Sequence, residues 1–215
     1  NNLHDLLEYN SGLDIKQRGP QGVQADVSIR GGSFEQTLIL IDGIKLSDPQ
    51  TGHHNMNLPI SFSQIERIEI LKGQGSRSYG ANAFSGIINI IPKQNAFKNL
   101  QLNLSGGENN YFNLGINGSM KSGITNHHIS FEKSQSDGYR SNTEFDNHIV
   151  SMNNSFNLSS TVVKTILGYT KKDFGANSYY TTRFPNQAEK TKTYLAALSA
   201  EIELEDLNIM PKIYW

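Results

Sequence analysis

The sequence predicts an α+β domain over residues 1–95, followed over residues 96–215 by about seven antiparallel β-strands of the transmembrane barrel type. Three observations carry this expectation. The first part alternates short apolar strands with glycine turns and short helical pieces. The second part changes to long strands of strict period two. The connections between those long strands are short and long by turns.

In the first part, "LHDLLEYNSG" places Leu3, Leu6 and Leu7 at helical spacing and stops at Gly12. The strands "GLDIKQR", "ADVSIRG" and "TLILIDG" follow, then a short helix near "LPISFSQIE" with Pro59 suited to its first turn, then "RIEILKG" and "GIINIIPK". Within "SIRGGSFEQTLILIDGIKL", residues 28–46, Gly31 and Gly32 let the chain turn tightly after a strand, and Asp42-Gly43 is a turn signal between two strands. Isolated charges at Arg30, Glu66, Arg67, Glu69 and Lys72 stand beside apolar runs. Charges so near a core need partners or water.

From Phe97 onward the period is two. In "YFNLGINGSMK", Phe112, Leu114, Ile116 and Met120 share one face while Asn113, Asn117, Ser119 and Lys121 share the other. Strands are expected near 98–106, 111–121, 124–134, 146–157, 160–171, 191–204 and 207–215. A soluble sandwich has the same alternation with its apolar face inward. The loops distinguish the two, because the tight "KSG", "NLSS" and "EDLN" alternate with the long "QSDGYRSNTEF" and "DFGANSYYTTRFPNQAEK". Aromatic residues near strand ends (Tyr111, Phe112, Tyr169, Tyr194, Tyr214 and Trp215 among them) suit an interfacial girdle, although hairpin packing places aromatics there as well. On the barrel reading Phe112, Leu114, Ile116 and Met120 face lipid, and arginine in place of Leu114 costs about 2–4 kcal/mol if that position lies at the bilayer midplane.

Composition narrows the function. Nineteen Lys and Arg against 20 Asp and Glu give a net charge of −1, so nothing electrostatic argues for nucleic acid, and none is expected as a partner. The absence of cysteine excludes disulfides and thiolate metal sites. The longest apolar run, Tyr194 to Leu198, is far short of the about 20 residues of a membrane helix. No nucleophile elbow, phosphate-binding loop or cysteine nucleophile occurs, so neither enzymatic activity nor a cofactor is expected. Adjacent histidines, His53-His54 and His127-His128, point to opposite sides of an extended chain, so no metal site is expected there. Asp137, Glu144 and Asp146 lack the spacing of an EF-hand loop and read as a solvated loop.

The segments "GLDI", "IRGG", "LILIDGIKL", "IERIEILKG" and "SRSYGANAFSGIINII", between Leu6 and Lys93, resemble the plug domain of TonB-dependent outer-membrane receptors. In that family the plug sits inside a 22-stranded barrel. The resemblance therefore implies an N-terminal fragment, a plug followed by roughly the first third of a barrel. The segment that engages the energy-transducing TonB protein is expected N-terminal to Asn1. Gly73-Gln74 departs from the Gly-Pro common in the family. The resemblance also implies a structural motif of Arg30, Gly31, Asp42, Gly43, Gly73, Tyr79, Gly80 and Gly86, with Arg30 a scaffold residue anchored in the plug.

The resemblance places the loops "KQRGPQGVQ", "GGSFEQ" and "SDPQTGHHNMN" at the outer apex of the plug. Arg18, Gln21 and Gln24 then offer donors to a solute, Phe34 an aromatic face, and His53, His54 and Asn55 neutral donors and acceptors. The same side chains could instead pack against barrel loops. The implied function is energised uptake of a scarce solute, cobalamin-like or a ferric siderophore, through the outer membrane of a Gram-negative bacterium. Its partners would be the TonB protein, outer-membrane lipid and the small-molecule ligand. The sequences "DGYRSNTEFDNH" and "FGANSYYTTRFP" look closest to the cobalamin-transporter branch. The alternative is a non-transporting, β-rich surface binding or adhesion module.

Overall fold

The computed structural model describes residues 3–48 and 50–215. The chain forms two compact units, one of residues 1–58, 65–92 and 179–182, the other of residues 59–64, 93–178 and 183–215. The sequence division at 95/96 falls near the Pro92–Lys93 boundary. It does not anticipate that 59–64 joins the C-terminal strands, or that 179–182 joins the N-terminal unit.

In the first unit, α1 (Leu3–Glu8) buries Leu3 and Leu7 and leaves Leu6 exposed. Strands β1 (Leu13–Arg18) and β2 (Gln24–Ile29) form an antiparallel hairpin, registered from Leu13 opposite Ile29 to Arg18 opposite Gln24. A second sheet contains β3 (Thr37–Ile41), β4 (Ile44–Leu46), β5 (Ile65–Lys72) and β6 (Gly86–Pro92) in the order β4-β3-β6-β5. Only β3 and β6 run parallel. Every residue of β3 is buried, as its unbroken apolar run requires of a strand covered on both faces. Leu38, Leu40, Ala83 and Ile87 form part of that core.

The turns explain the glycines of the opening motif. Asp42 (φ 48°) and Gly43 (φ 71°) both have positive φ, the geometry of a type I′ hairpin turn between β3 and β4. Arg30 (φ 51°) and Gly31 (φ 75°) make a second reversal, in which the Gly32 N–H donates to the Ile29 carbonyl at 3.0 Å. Arg30, expected as a scaffold residue anchored in the plug, is exposed and is held through its backbone. Its N–H donates to the Gly12 carbonyl at 2.8 Å. At Gly86 a Cβ would lie 2.4 Å from the Leu71 carbonyl oxygen, so β5 and β6 can approach only over glycine.

Two local expectations change. The helix expected near residues 58–66 is a single 3-10 turn, Phe62–Gln64, because Ile65 enters β5 at once and pairs with Pro92. A short helix α2 (Ser76–Tyr79), where no element is expected from the sequence, occupies "SRSY". Three charges of β5 partner one another, with Arg67 2.8 Å from Glu69 and 3.7 Å from Glu66, and Asn89 donates to Glu69 at 3.1 Å, whereas Lys72 donates to the Ser11 carbonyl.

The second unit is a meander. Strands β7 (Asn99–Gly106), β8 (Phe112–Ser122), β9 (Thr125–Ser136), β10 (Phe145–Leu158), β11 (Thr161–Gly175) and β12 (Ala188–Leu204) pair in sequence order, all antiparallel. The short connections at 123–124, 159–160 and 205–206 therefore lie at one end and those at 107–111, 137–144 and 176–187 at the other. The last expected strand, 207–215, is instead two short ladders on β12, β13 (Leu207–Ile209) and β14 (Lys212–Tyr214). They are interrupted at Pro211, which has no N–H to donate.

This sheet is inverted relative to a water-soluble one. Its buried positions include Asn126, His128 and Ser130 on β9, Asn147, Ser151, Asn153 and Ser155 on β10, Thr170 on β11 and Ser199 on β12. Its exposed face carries Ile129, Val150, Leu167, Tyr194 and Leu198, with Ile116 40% and Met120 49% exposed. Cross-strand register aligns Leu102, Ile116, Phe131, Val150, Tyr169 and Tyr194 in one outward apolar row.

Residues 59–64 lie on the polar face. Ser61 Oγ donates to Glu132 at 3.1 Å, Ser151 Oγ donates to Gln64 Oε1 at 2.7 Å, and Asn153 Nδ2 reaches the same oxygen at 3.2 Å. Gly168 makes this approach possible, since a Cβ there would lie 2.1 Å from the Pro59 carbonyl oxygen. Gly168→Ala is expected to cost about 1–3 kcal/mol through that overlap. Gly118→Ala should cost little, because its Cβ would meet only Ile129 at 3.4 Å. Thermal unfolding of the protein compares the two, and equal midpoints would contradict the packing.

Candidate ligand-binding site

Asp26 is the centre of a polar and aromatic cluster in the first unit. It sits on β2, a strand otherwise mostly apolar and buried, with its side chain 7% exposed. Hairpin pairing brings the end of β1 beside it, and Arg18 chelates one carboxylate oxygen, Nη2 at 3.0 Å and Nε at 3.2 Å from Oδ2. The other oxygen, Oδ1, is 2.8 Å from His53 Nδ1. An ionised carboxylate accepts only, so His53 carries its proton on Nδ1 and leaves Nε2 as an acceptor in the neutral ring.

His53 is held from several sides. It lies on the 3-10 turn Gly52–His54, whose first residues are capped by Thr51 Oγ1 accepting from the His53 N–H at 3.3 Å. Gln24, at the start of β2, donates its side-chain amide to the His53 carbonyl. Phe34 stacks on the imidazole with centroids 4.3 Å apart and planes 27° from parallel. Tyr180 meets its ring at 5.1 Å, and the Arg18 guanidinium lies 5.2 Å from the Tyr180 centroid. Arg18 also donates to the Tyr179 carbonyl.

The cluster therefore combines one guanidinium, one imidazole acceptor and two further aromatic rings around a saturated carboxylate. What it can do is bind, since rings pack on a large planar or apolar solute while the polar rims meet amide or carboxylate groups.

Of the residues singled out in the sequence, Arg18, Gln24, Phe34 and His53 come together. His54 and Asn55 turn to Asp48 instead. His54 Nδ1 lies 3.5 Å from its carboxylate, and Asn55 Oδ1 accepts its N–H at 3.4 Å, so both brace their own loop. Gln21 is exposed on the β1–β2 connection with φ 56°. Sequence reasoning missed Asp26 and Tyr180. A lone carboxylate inside "ADVSI" was a legible signal for the first. Nothing in the sequence pointed to the second, which is more than 150 residues from Arg18.

The histidine pairs do diverge, although His53-His54 lies on a 3-10 turn rather than on the extended chain expected. His127 Nδ1 meets Asn154 at 2.8 Å, whereas His128 is buried on the other face. Asp137 accepts from Asn110 at 2.6 Å and Asp146 pairs with His148 at 3.0 Å, so these two carboxylates have separate partners.

Residues 1–87 match the family model for the TonB-dependent receptor plug domain. A vitamin B12 transporter, BtuB, of Vibrio vulnificus strain CMCP6 is 37% identical over 89 residues, covering 41% of this chain and 14% of the relative. BtuB of strain YJ016 is 31% identical over 141 residues, covering 64% and 23%. This chain thus spans less than a quarter of the length of those relatives. Among solved structures, Pseudomonas aeruginosa FpvA superposes with a TM-score of 0.76 at 17% identity, covering 96% of this chain and 30% of that one. The copper transporter OprC gives 0.78 at 15% identity, covering 99% and 34%. The siderophore receptor PiuA of Acinetobacter baumannii gives 0.69 at 21% identity, covering 93% and 31%. Residues 1–87 therefore match a TonB-dependent receptor plug domain, and the chain shares the fold of those solved receptor and transporter structures.

Proposed function

We propose that this chain is part of an outer-membrane receptor of a Gram-negative bacterium that takes up a scarce solute, cobalamin-like in chemistry, with energy delivered through a TonB protein. The inverted sheet carries the reading. A wall with Ser, Asn and His buried and Ile, Val, Leu and Tyr exposed is unfavourable in water and favourable where hydrocarbon covers the apolar face. The relatives named as vitamin B12 transporters favour cobalamin over other solutes. A ferric siderophore is the second reading, favoured by the fold shared with the siderophore receptor PiuA.

Arg18, Phe34 and His53 are the proposed contacts, with Asp26 as the residue that positions the two polar ones. The test uses cells producing the full-length receptor and labelled cyanocobalamin. Energised cells are expected to accumulate it, and cells lacking TonB to bind it at the surface without accumulating it. Alanine at Arg18, Phe34 and His53 together is expected to weaken surface binding about tenfold or more, the loss of at least one hot-spot contact. Unchanged binding with normal surface expression would refute the site. Uptake of a ferric siderophore but not of cyanocobalamin would establish the second reading.

A further inference from the structure

We infer that the outward face of β9–β12 carries a binding surface for phosphate-bearing lipid headgroups of the leaflet on the long-loop side, an assignment that rests on the bilayer reading above. The observation is one of register. Lys133 pairs with His148, His148 with Lys171, and Lys171 with Lys192, so four adjacent strands set four basic residues in one row across the sheet. The row lies on the outward face, one step from the apolar row that contains Phe131, Val150, Tyr169 and Tyr194. Tyr169 and Tyr194 stand with ring centroids 5.0 Å apart, and paired tyrosines at this level mark a hydrocarbon–water boundary.

The height fits. The row lies about ten residues beyond the short-turn ends of these strands; at about 3.3 Å per residue and a tilt of about 40°, this is about 25 Å, the height of the outward apolar band of a membrane barrel. A row perpendicular to tilted strands changes depth by about 3 Å per strand, which lysine side chains can span by extending their ends toward the interface.

The surrounding charges leave an excess of cations. Asp146 faces the same side, 3.0 Å from His148 and 4.0 Å from Lys133, and Asp173 is paired with Lys190 at 2.8 Å. Among the described residues neither Lys171 nor Lys192 has a carboxylate within ion-pair distance. Two unpaired ammonium groups directly above a continuous apolar face match an amphiphile whose anionic phosphate sits directly above its acyl chains. A soluble anion would gain nothing from the apolar row.

The test reconstitutes the full-length receptor in phosphatidylcholine vesicles containing spin-labelled phosphatidylglycerol or spin-labelled phosphatidylcholine, and compares the motionally restricted fraction of each. Wild type is expected to prefer phosphatidylglycerol by about fivefold, the contribution of one surface lysine, and to lose the preference in 1 M salt. The triple variant Lys133→Gln, Lys171→Gln, Lys192→Gln should show none, and the corresponding triple arginine variant should keep it. Glutamine at Lys16, Lys45 and Lys72, which lie in the first unit, should leave it intact. Flotation with pure phosphatidylcholine vesicles reports the bilayer reading separately. Incorporation without any anionic preference, a preference that survives the glutamine triple, or its loss in the arginine triple overturns the inference alone. Failure to incorporate overturns both.

Discussion

Asp26→Ala is expected to destabilise the plug by about 3–5 kcal/mol, the cost of removing one member of a buried ion pair. The Arg18 and Asp26 side chains are 14% and 7% exposed, so water does little to solvate the charge left behind. Arg18 would keep only the Tyr179 carbonyl and the face of Tyr180, and the His53 Nδ1 proton would lose its acceptor. Arg18→Ala should cost less, because Asp26 would retain its hydrogen bond with His53. Asp26→Asn should fall between them, since an amide offers a single acceptor oxygen where both partners need one. Chemical denaturation of the protein, with hydrogen exchange at the β1–β2 amides, orders the three. An Asp26→Ala protein with wild-type protection would show that the cluster is not a structural unit.

Arginine in place of Leu167 is expected to cost about 2–4 kcal/mol in a membrane-folding assay. Register places Leu167 opposite Met152 and Ala196, in the apolar row with Ile129, about halfway between the short turns and the basic row. On the bilayer reading, that is the midplane of the outward band. Leu114, the position that the sequence offers for the same experiment, pairs with Lys133 and so lies at the level of the basic row. Arginine there should cost about 0–1 kcal/mol, as near an interface. A substitution on the polar face at the same height, Ser151→Arg, would instead meet Gln64, and its effect reports packing with residues 59–64 rather than lipid. If Leu167→Arg and Leu114→Arg cost the same, the depth assignment fails.

The difference between positions 114 and 167 separates what was legible from what was not. Period-two alternation identified which residues share a face, because side chains of a strand must alternate. It could not give depth, which depends on how far each strand has slid past its neighbour. The β8–β9 register sets Leu114 opposite Lys133 rather than opposite an apolar residue, and that pairing is a property of two strands together. The same holds for the basic row, whose lysines are scattered in sequence and become one feature only through three successive registers.

The N-terminal unit divides in a similar way. Turns were legible because Asp42-Gly43 and Arg30-Gly31 adopt positive φ, which few residue types tolerate, so local chemistry suffices. The helix expected near residues 58–66 failed for a non-local reason. The Ser61 N–H donates to Ser151 Oγ and the Gln64 carbonyl accepts from the Lys93 N–H, bonds that use backbone groups a helix would have paired internally.

From the sequence alone came the order of the strands, the two faces of each, the alternation of short and long connections and the glycine turns, because each follows from the conformational limits of a few consecutive residues. Only the tertiary structure decided that Asp26 holds Arg18 and His53, that Tyr180 closes the cluster from a distant loop, and that Gly168 clears the way for Pro59. Those features are pairings between residues far apart in the chain, and a charge or an aromatic ring takes its role from the partner that folding brings within a few ångströms.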